Sequence, residues 1–109
     1  MKLLSRIEEI ILLSVWKLGD CAYGITIREE VVKATGKDWL LGAIYAPLSR
    51  LYKNGYVKII TGPPTPERGG RSKIYYRLTT EGKRALAEIQ KVNARLWQDV
   101  PDLEFKKSS

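Results

Sequence analysis

The stretch that decides the fold is YVKIITGPPTPERGGRSKIYYRLT, Tyr56–Thr79. Its ends are strand-like and its middle is not. "YVKII" (56–60) is short and β-branched, while "KIYYRLT" (73–79) alternates, with Ile74, Tyr76 and Leu78 on one face and Lys73, Tyr75 and Arg77 on the other. Between the two runs lie Pro63, Pro64 and Pro66, Gly62, Gly69 and Gly70, and the cations Arg68, Arg71 and Lys73. Connections of this length inside a small domain are uncommon and usually carry function. The segment therefore predicts a hairpin with a stiff, basic tip. The prolines lower the entropy cost of ordering it, and the paired glycines let the backbone turn where side chains would clash.

Upstream, helical periodicity takes over. The first helix is expected from Ser5 to Leu18, opened by a Ser5-x-x-Glu8 capping box, with Ile7, Ile10, Ile11, Ser14, Val15 and Leu18 on one stripe and Leu12, Leu13 and Trp16 on other sides. A helix that is apolar on several faces is covered by several neighbours. A second helix is expected from Thr26 to Thr35, capped by Thr26 and Glu29 and stopped by Gly36. The third covers Gly42–Lys53, with Ile44, Leu48, Leu51 and Tyr52 inward, and Pro47 is expected to kink its first turns or delay its regular start. After the hairpin, a fourth helix runs from Thr79 or Thr80 to Trp97. On it Leu86, Ile89, Asn93 and Leu96 recur at the 3-4-3 spacing of a coiled-coil seam.

Three helices, a hairpin and a helix give a mainly α fold with a small β-hairpin: a winged helix-turn-helix plus a C-terminal dimerisation helix. The expected organisation is a DNA-binding domain over 1–80 (wing 56–79), a dimerisation helix over 80–100 packed on the first helix, and a disordered tail over 101–109. The chain has 109 residues, 44% of them apolar, and a net charge of +7, which favours a polyanionic partner. Its single cysteine forbids an intrachain disulfide and fits a reducing cytoplasm. Histidine is absent, and with it the usual general base and the commonest metal ligand. No zinc, phosphate-loop or dinucleotide motif occurs, so no enzyme, metal or cofactor is expected. Glu8 and Glu9 interrupt the apolar N-terminal run, which reads as neither signal peptide nor membrane span.

In such a fold the third helix enters the major groove and the second crosses the backbone. The candidate base-reading face is Tyr45, Ala46, Ser49, Arg50 and Lys53. Arg50 can pair with a guanine edge and Ala46 can meet a thymine methyl. Arg68, Arg71 and Lys73 on the wing are candidates for phosphate or minor-groove contact. Tyr23 and Thr26, at the start of the second helix, are candidates for backbone contact.

The segments GAIYAPLSRLYKNGYVK (42–58) and RGGRSKIYYRLTTEGKRAL (68–86) resemble the PadR family of bacterial transcriptional regulators. The matching positions are Gly42, Tyr45, Leu48, Arg50, Leu51 and Gly55, then Gly70, Arg71, Tyr75 or Tyr76, Leu78, Thr79 or Thr80, and Gly82, with Tyr23-Gly24 opening the second helix. Many members carry a proline directly after the tyrosine; here Ala46 intervenes before Pro47. The short C-terminal part is similar to the subfamily with one helix after the wing. The resemblance implies a dimeric DNA-binding repressor responsive to a small molecule.

A dimer is also argued from the residues themselves. Leu4, Leu12 and Trp16 on the first helix and Leu86, Ile89, Asn93, Leu96 and Trp97 on the fourth supply its surface, with Asn93 able to fix register. Two copies would read half-sites about 34 Å apart. Trp16 and Trp97 either line a pocket for a flat apolar effector or serve as interface anchors, and Trp39 is read as a core plug. The competing function is a winged-helix interaction module, an adaptor or antagonist of another regulator that binds no specific DNA. If the wing contacts phosphates, Arg71→Ala weakens binding to all sequences alike and flattens the salt dependence by about one unit of slope. Titration at several salt concentrations checks this, and an unchanged slope removes Arg71 from the interface.

Overall fold

The computed structural model describes residues 3–64 and 72–105. In chain order it runs α1 (Arg6–Leu18), a 3₁₀ turn (Gly19–Cys21), α2 (Gly24–Thr35), α3 (Leu41–Lys53), β1 (Val57–Pro64), β2 (Ser72–Leu78) and α4 (Thr80–Trp97). Gln98–Phe105 follow without regular structure. Arg68, Arg71, Pro66, Gly69 and Gly70 of the expected wing tip, and residues 106–109 of the expected tail, lie outside the described residues. No described helix is long and apolar enough to cross a membrane.

Local chemistry explains most helix ends. Glu8 N–H donates to the Ser5 hydroxyl (3.3 Å) and Ser5 N–H to the Glu8 carboxylate (2.8 Å), which completes the box that starts α1. Gly36 closes α2 in the left-handed region (φ +70°), its N–H bonded to Val32 O at 2.8 Å. The start of α2 differs from expectation. It begins at Gly24, two residues early, with Tyr23 as N-cap. Thr26 is the third helical residue, and its hydroxyl accepts the Tyr23 N–H (3.0 Å). The helix therefore gains a half-box without Glu29.

Helix α3 begins at Leu41, ahead of its proline, and runs unbroken past it. Pro47 has no N–H to give to Ala43. In exchange its ring is buried beside Ile44, Leu48 and Leu51. Tyr52, expected inward, is half exposed, because it lies two turns beyond Tyr45 on the same flank of the helix, beside the inner face rather than in it.

The core gathers Ile11, Leu12 and Val15 from α1, Ile27 and Val31 from α2, Ile44, Leu48 and Leu51 from α3, and Val57, Leu78 and Ala85 from the wing base and α4. Each Val, Leu or Ile among them contributes about 1.5–3 kcal/mol on burial. Trp39 packs against this cluster, as expected of a plug, and its Nε1 donates to the Thr35 hydroxyl at 2.9 Å.

The hairpin is longer than the sequence suggested. Strand β1 continues through Gly62–Pro64, and the register runs from Val57↔Leu78 to Thr61↔Ile74, then slips so that Pro64 faces Ser72. Three steps on β1 match two on β2, a bulge of the kind where proline is tolerated in a sheet. On the far edge of β2, Tyr76 N–H donates to Ala22 O (2.8 Å) and Tyr23 pairs with Tyr75, so the segment before α2 adds a single rung to the wing.

At the base of the wing the chain crosses itself. Thr79 caps α4 by accepting the Gly82 N–H (3.1 Å), its own N–H bonds to Tyr56 O (3.1 Å), and its hydroxyl donates to Gly55 O (2.6 Å). A Cβ on Gly82 would overlap the Tyr56 carbonyl oxygen. We expect Gly82→Ala to cost about 1–3 kcal/mol, the range for forcing extra atoms into a packed site. Urea unfolding measures it, and a variant as stable as the native chain would show that this crossing can relax.

Candidate nucleic-acid interface

The start of α2, the outer side of α3 and the hairpin form one surface. Tyr45 ties these elements together. Its hydroxyl occupies the space that a Cβ on Gly24 would fill, and it shares with Tyr23, Leu41, Ile74 and Tyr76 a notch of about 310 Å³. Burial, and then the neighbouring Tyr45, push the Tyr76 hydroxyl above its ordinary value, so it stays neutral and can donate.

Helical geometry sorts the expected base-reading residues. The inner face of α3 is Ile44, Pro47, Leu48 and Leu51. Opposite it lie Gly42, Ala46, Ser49 and Lys53, all exposed. Tyr45 stands on the flank toward α2 and the wing. Arg50 stands on the other flank, where its Nε donates to the Glu8 carboxylate of α1 at 3.2 Å. Sequence reasoning placed Arg50 at the front of the helix; in the structure it shares its charge with α1.

Lys73 lies over the Tyr23 ring, 4.6 Å from its centroid, and Tyr75 meets the same ring edge-on at 5.5 Å. This cation–aromatic stack fixes the outer half of β2 to the start of α2. Thr26, expected at the DNA backbone, spends its hydroxyl within the α2 cap and on Cys21 O, so the cap takes precedence over a phosphate contact.

A second surface lies on α1 and α4. Leu86, Ile89 and Asn93 are half buried against α1, whereas Leu96 (68% exposed) and Trp97 (64%) stand clear of their own domain. Leu4 is half buried. Leu12 is wholly buried in the core of its own chain and is corrected as an interface residue. Its neighbour Leu13, which the sequence reading placed on an outer side of the helix but not in the interface, is exposed instead. Leu13, Trp16, Leu86 and Ile89 line a groove of about 490 Å³, with the Lys83 ammonium 5.2 Å from the Trp16 ring centroid. Within one chain Trp97 does not line that groove; it sits with Val100, Pro101 and Leu103.

Partial burial raises the affinity of the Glu8 carboxyl for its proton, but hydrogen bonds from Ser5 and the Arg50 guanidinium outweigh it and hold the group below its ordinary value of 4.5. A depressed carboxyl stabilises the fold above its unfolded value and loses that contribution as pH falls through the folded one. We expect Arg50→Ala to cost about 0.5 kcal/mol near neutrality, at the low end because the guanidinium is half exposed. The difference should shrink toward zero as pH falls below the ordinary value of 4.5 and through the depressed Glu8 one. Chemical denaturation across that pH range tests it, and a cost independent of pH would sever Arg50 from Glu8.

The sequence matches the family described as "Transcriptional regulator PadR-like family" over residues 12–88. No curated protein matches it. Among solved structures, a PadR family transcription regulator from Clostridium difficile R20291 is similar at 28% identity and TM-score 0.65, over 84% of this chain and 90% of that one. A PadR-like transcription factor from Bacteroides fragilis is similar at 26% identity and TM-score 0.70, over 83% and 82%. RosR of H. salinarum, at 22% identity and TM-score 0.70 over 90% and 81%, shares the fold.

Proposed function

Since the chain belongs to the PadR-like family of transcriptional regulators, DNA-binding regulation is its task, and we propose that it acts as a homodimeric repressor on a palindromic operator. Members of that family are regulators and not enzymes, so nothing in the chain has to supply catalysis. In this proposal the dimer works in the cytoplasm and occupies a promoter. α3 enters the major groove, the wing cations Arg68, Arg71 and Lys73 meet phosphates, and Tyr23 sits where the backbone passes α2. Sequence choice comes from α3 and affinity from the Lys and Arg residues.

The observation that carries the dimer is the outer end of α4. Two large apolar side chains, Leu96 and Trp97, project with most of their surface left uncovered by their own chain. Burying them on a second copy extends the Leu86–Ile89–Asn93 seam and sets two α3 helices on a two-fold axis, which a palindrome requires. The groove beside Trp16 lies on the same side of the domain. A flat apolar effector stacked there would alter how the two copies meet, and so release the operator.

Selection on random duplex DNA should enrich a palindrome with half-sites about 34 Å apart or a multiple of it. Sedimentation should give a dimer. Leu96→Asp with Trp97→Asp should weaken that dimer by at least about 100-fold, from ~1.5 kcal/mol per lost side chain, with helix content intact. Enrichment of no palindrome would favour the interaction-module reading, and a native monomer would dispose of the dimer.

A further inference from the structure

The leading turns of α3 are unusual for a helix that meets base edges. In a helix-turn-helix the N-terminal residues of the recognition helix make the base contacts. From Leu40 to Ser49 the hydrogen-bonding side chains are Tyr45 and Ser49 alone. Bidentate pairing with guanine or adenine in the major groove takes Arg, Lys, Asn or Gln. None occurs in that span, and the one guanidinium of α3, on Arg50, is engaged by Glu8 on the flank. What the helix does present is hydrocarbon. Leu40, its N-cap, is 80% exposed, and Leu41 is exposed beside it.

We propose that Leu40 and Leu41 form an apolar lip that reads thymine methyl groups, so that each half-site is selected for T·A pairs opposite the start of α3. The thymine C5-methyl is the one apolar group that a base pair offers in the major groove. Charge decides the occupant: Lys53 stands exposed three turns further along the same helix, and a second copy of a +7 chain is a poorer neighbour for that helix than a duplex. This inference rests on the DNA-binding reading and goes beyond it, since phosphate contacts alone would hold the protein on any sequence.

Deoxyuridine tests the lip directly, because it keeps every hydrogen-bonding group of thymidine and lacks only the methyl. Binding of the native chain to its selected operator would be measured by fluorescence anisotropy with each thymine replaced in turn. The expected result is a loss of about fourfold at each contacted thymine, the worth of one buried methyl-sized group. In Leu40→Ser with Leu41→Ser the thymine and uracil duplexes should bind alike. If uracil replacement has no effect while 7-deazaguanine weakens binding, the lip is overturned and the regulator reading stands. A double variant that still discriminates uracil, or one whose chief change is in oligomeric mass, overturns it too. A native chain that holds no duplex in preference to another fails the regulator reading first, and the lip with it.

Discussion

The crossing at the base of the wing is the constraint on which the rest depends. Within a few ångströms the end of α3, the start of β1, the end of β2 and the start of α4 share one set of backbone groups. Tyr56 N–H returns to Leu51 O at 2.9 Å, and Tyr56 O receives Thr79 N–H. Gly55 O takes the Thr79 hydroxyl, which also caps α4. Gly55 can turn the chain out of α3 because it adopts φ +81°, where a side chain is disfavoured. Gly82 can lie against Tyr56 because it has no side chain at all. The two proposed working surfaces, the DNA face and the α1–α4 face, are thus hinged on the same four residues.

Much of this was legible in the sequence. The Ser5–Glu8 box, Gly36 and the strand alternation of β2 each rest on local chemistry, and local chemistry survives folding. The departures have physical reasons. Tyrosine has no short side chain to cap a helix, so Tyr23 gives no cap signal, although Thr26 can serve its N–H from inside the helix. Gly-Pro-Pro reads as loop, yet a two-stranded ribbon leaves each strand with a free edge, and a bulge there accommodates proline. Leu12 and Leu13 are neighbours in a run that is apolar all round. Only the position of α3 decides which is buried.

The candidate site was legible as a surface and less so as a set of roles. Helix order gives α3 and the wing, but the partner of Arg50 lies 42 residues away on α1. No spacing rule reaches that far. The same holds for Lys73, whose ammonium finds the Tyr23 ring across the fold. In both cases a cation assigned to an absent partner also has one within the chain, and binding would have to draw it away or share it.

The prolines of β1 have a consequence outside regulation. A two-stranded ribbon exposes edges that can recruit further strands from other molecules, the first step toward fibrous aggregates. One edge of β2 is already occupied by Ala22 and Tyr23. The far end of β1 is guarded differently: the chain carries consecutive prolines there, and the bulge between Thr61 and Pro64 breaks the repeat that an incoming strand would have to match. A ribbon that ends in this way offers a poor template for a further strand.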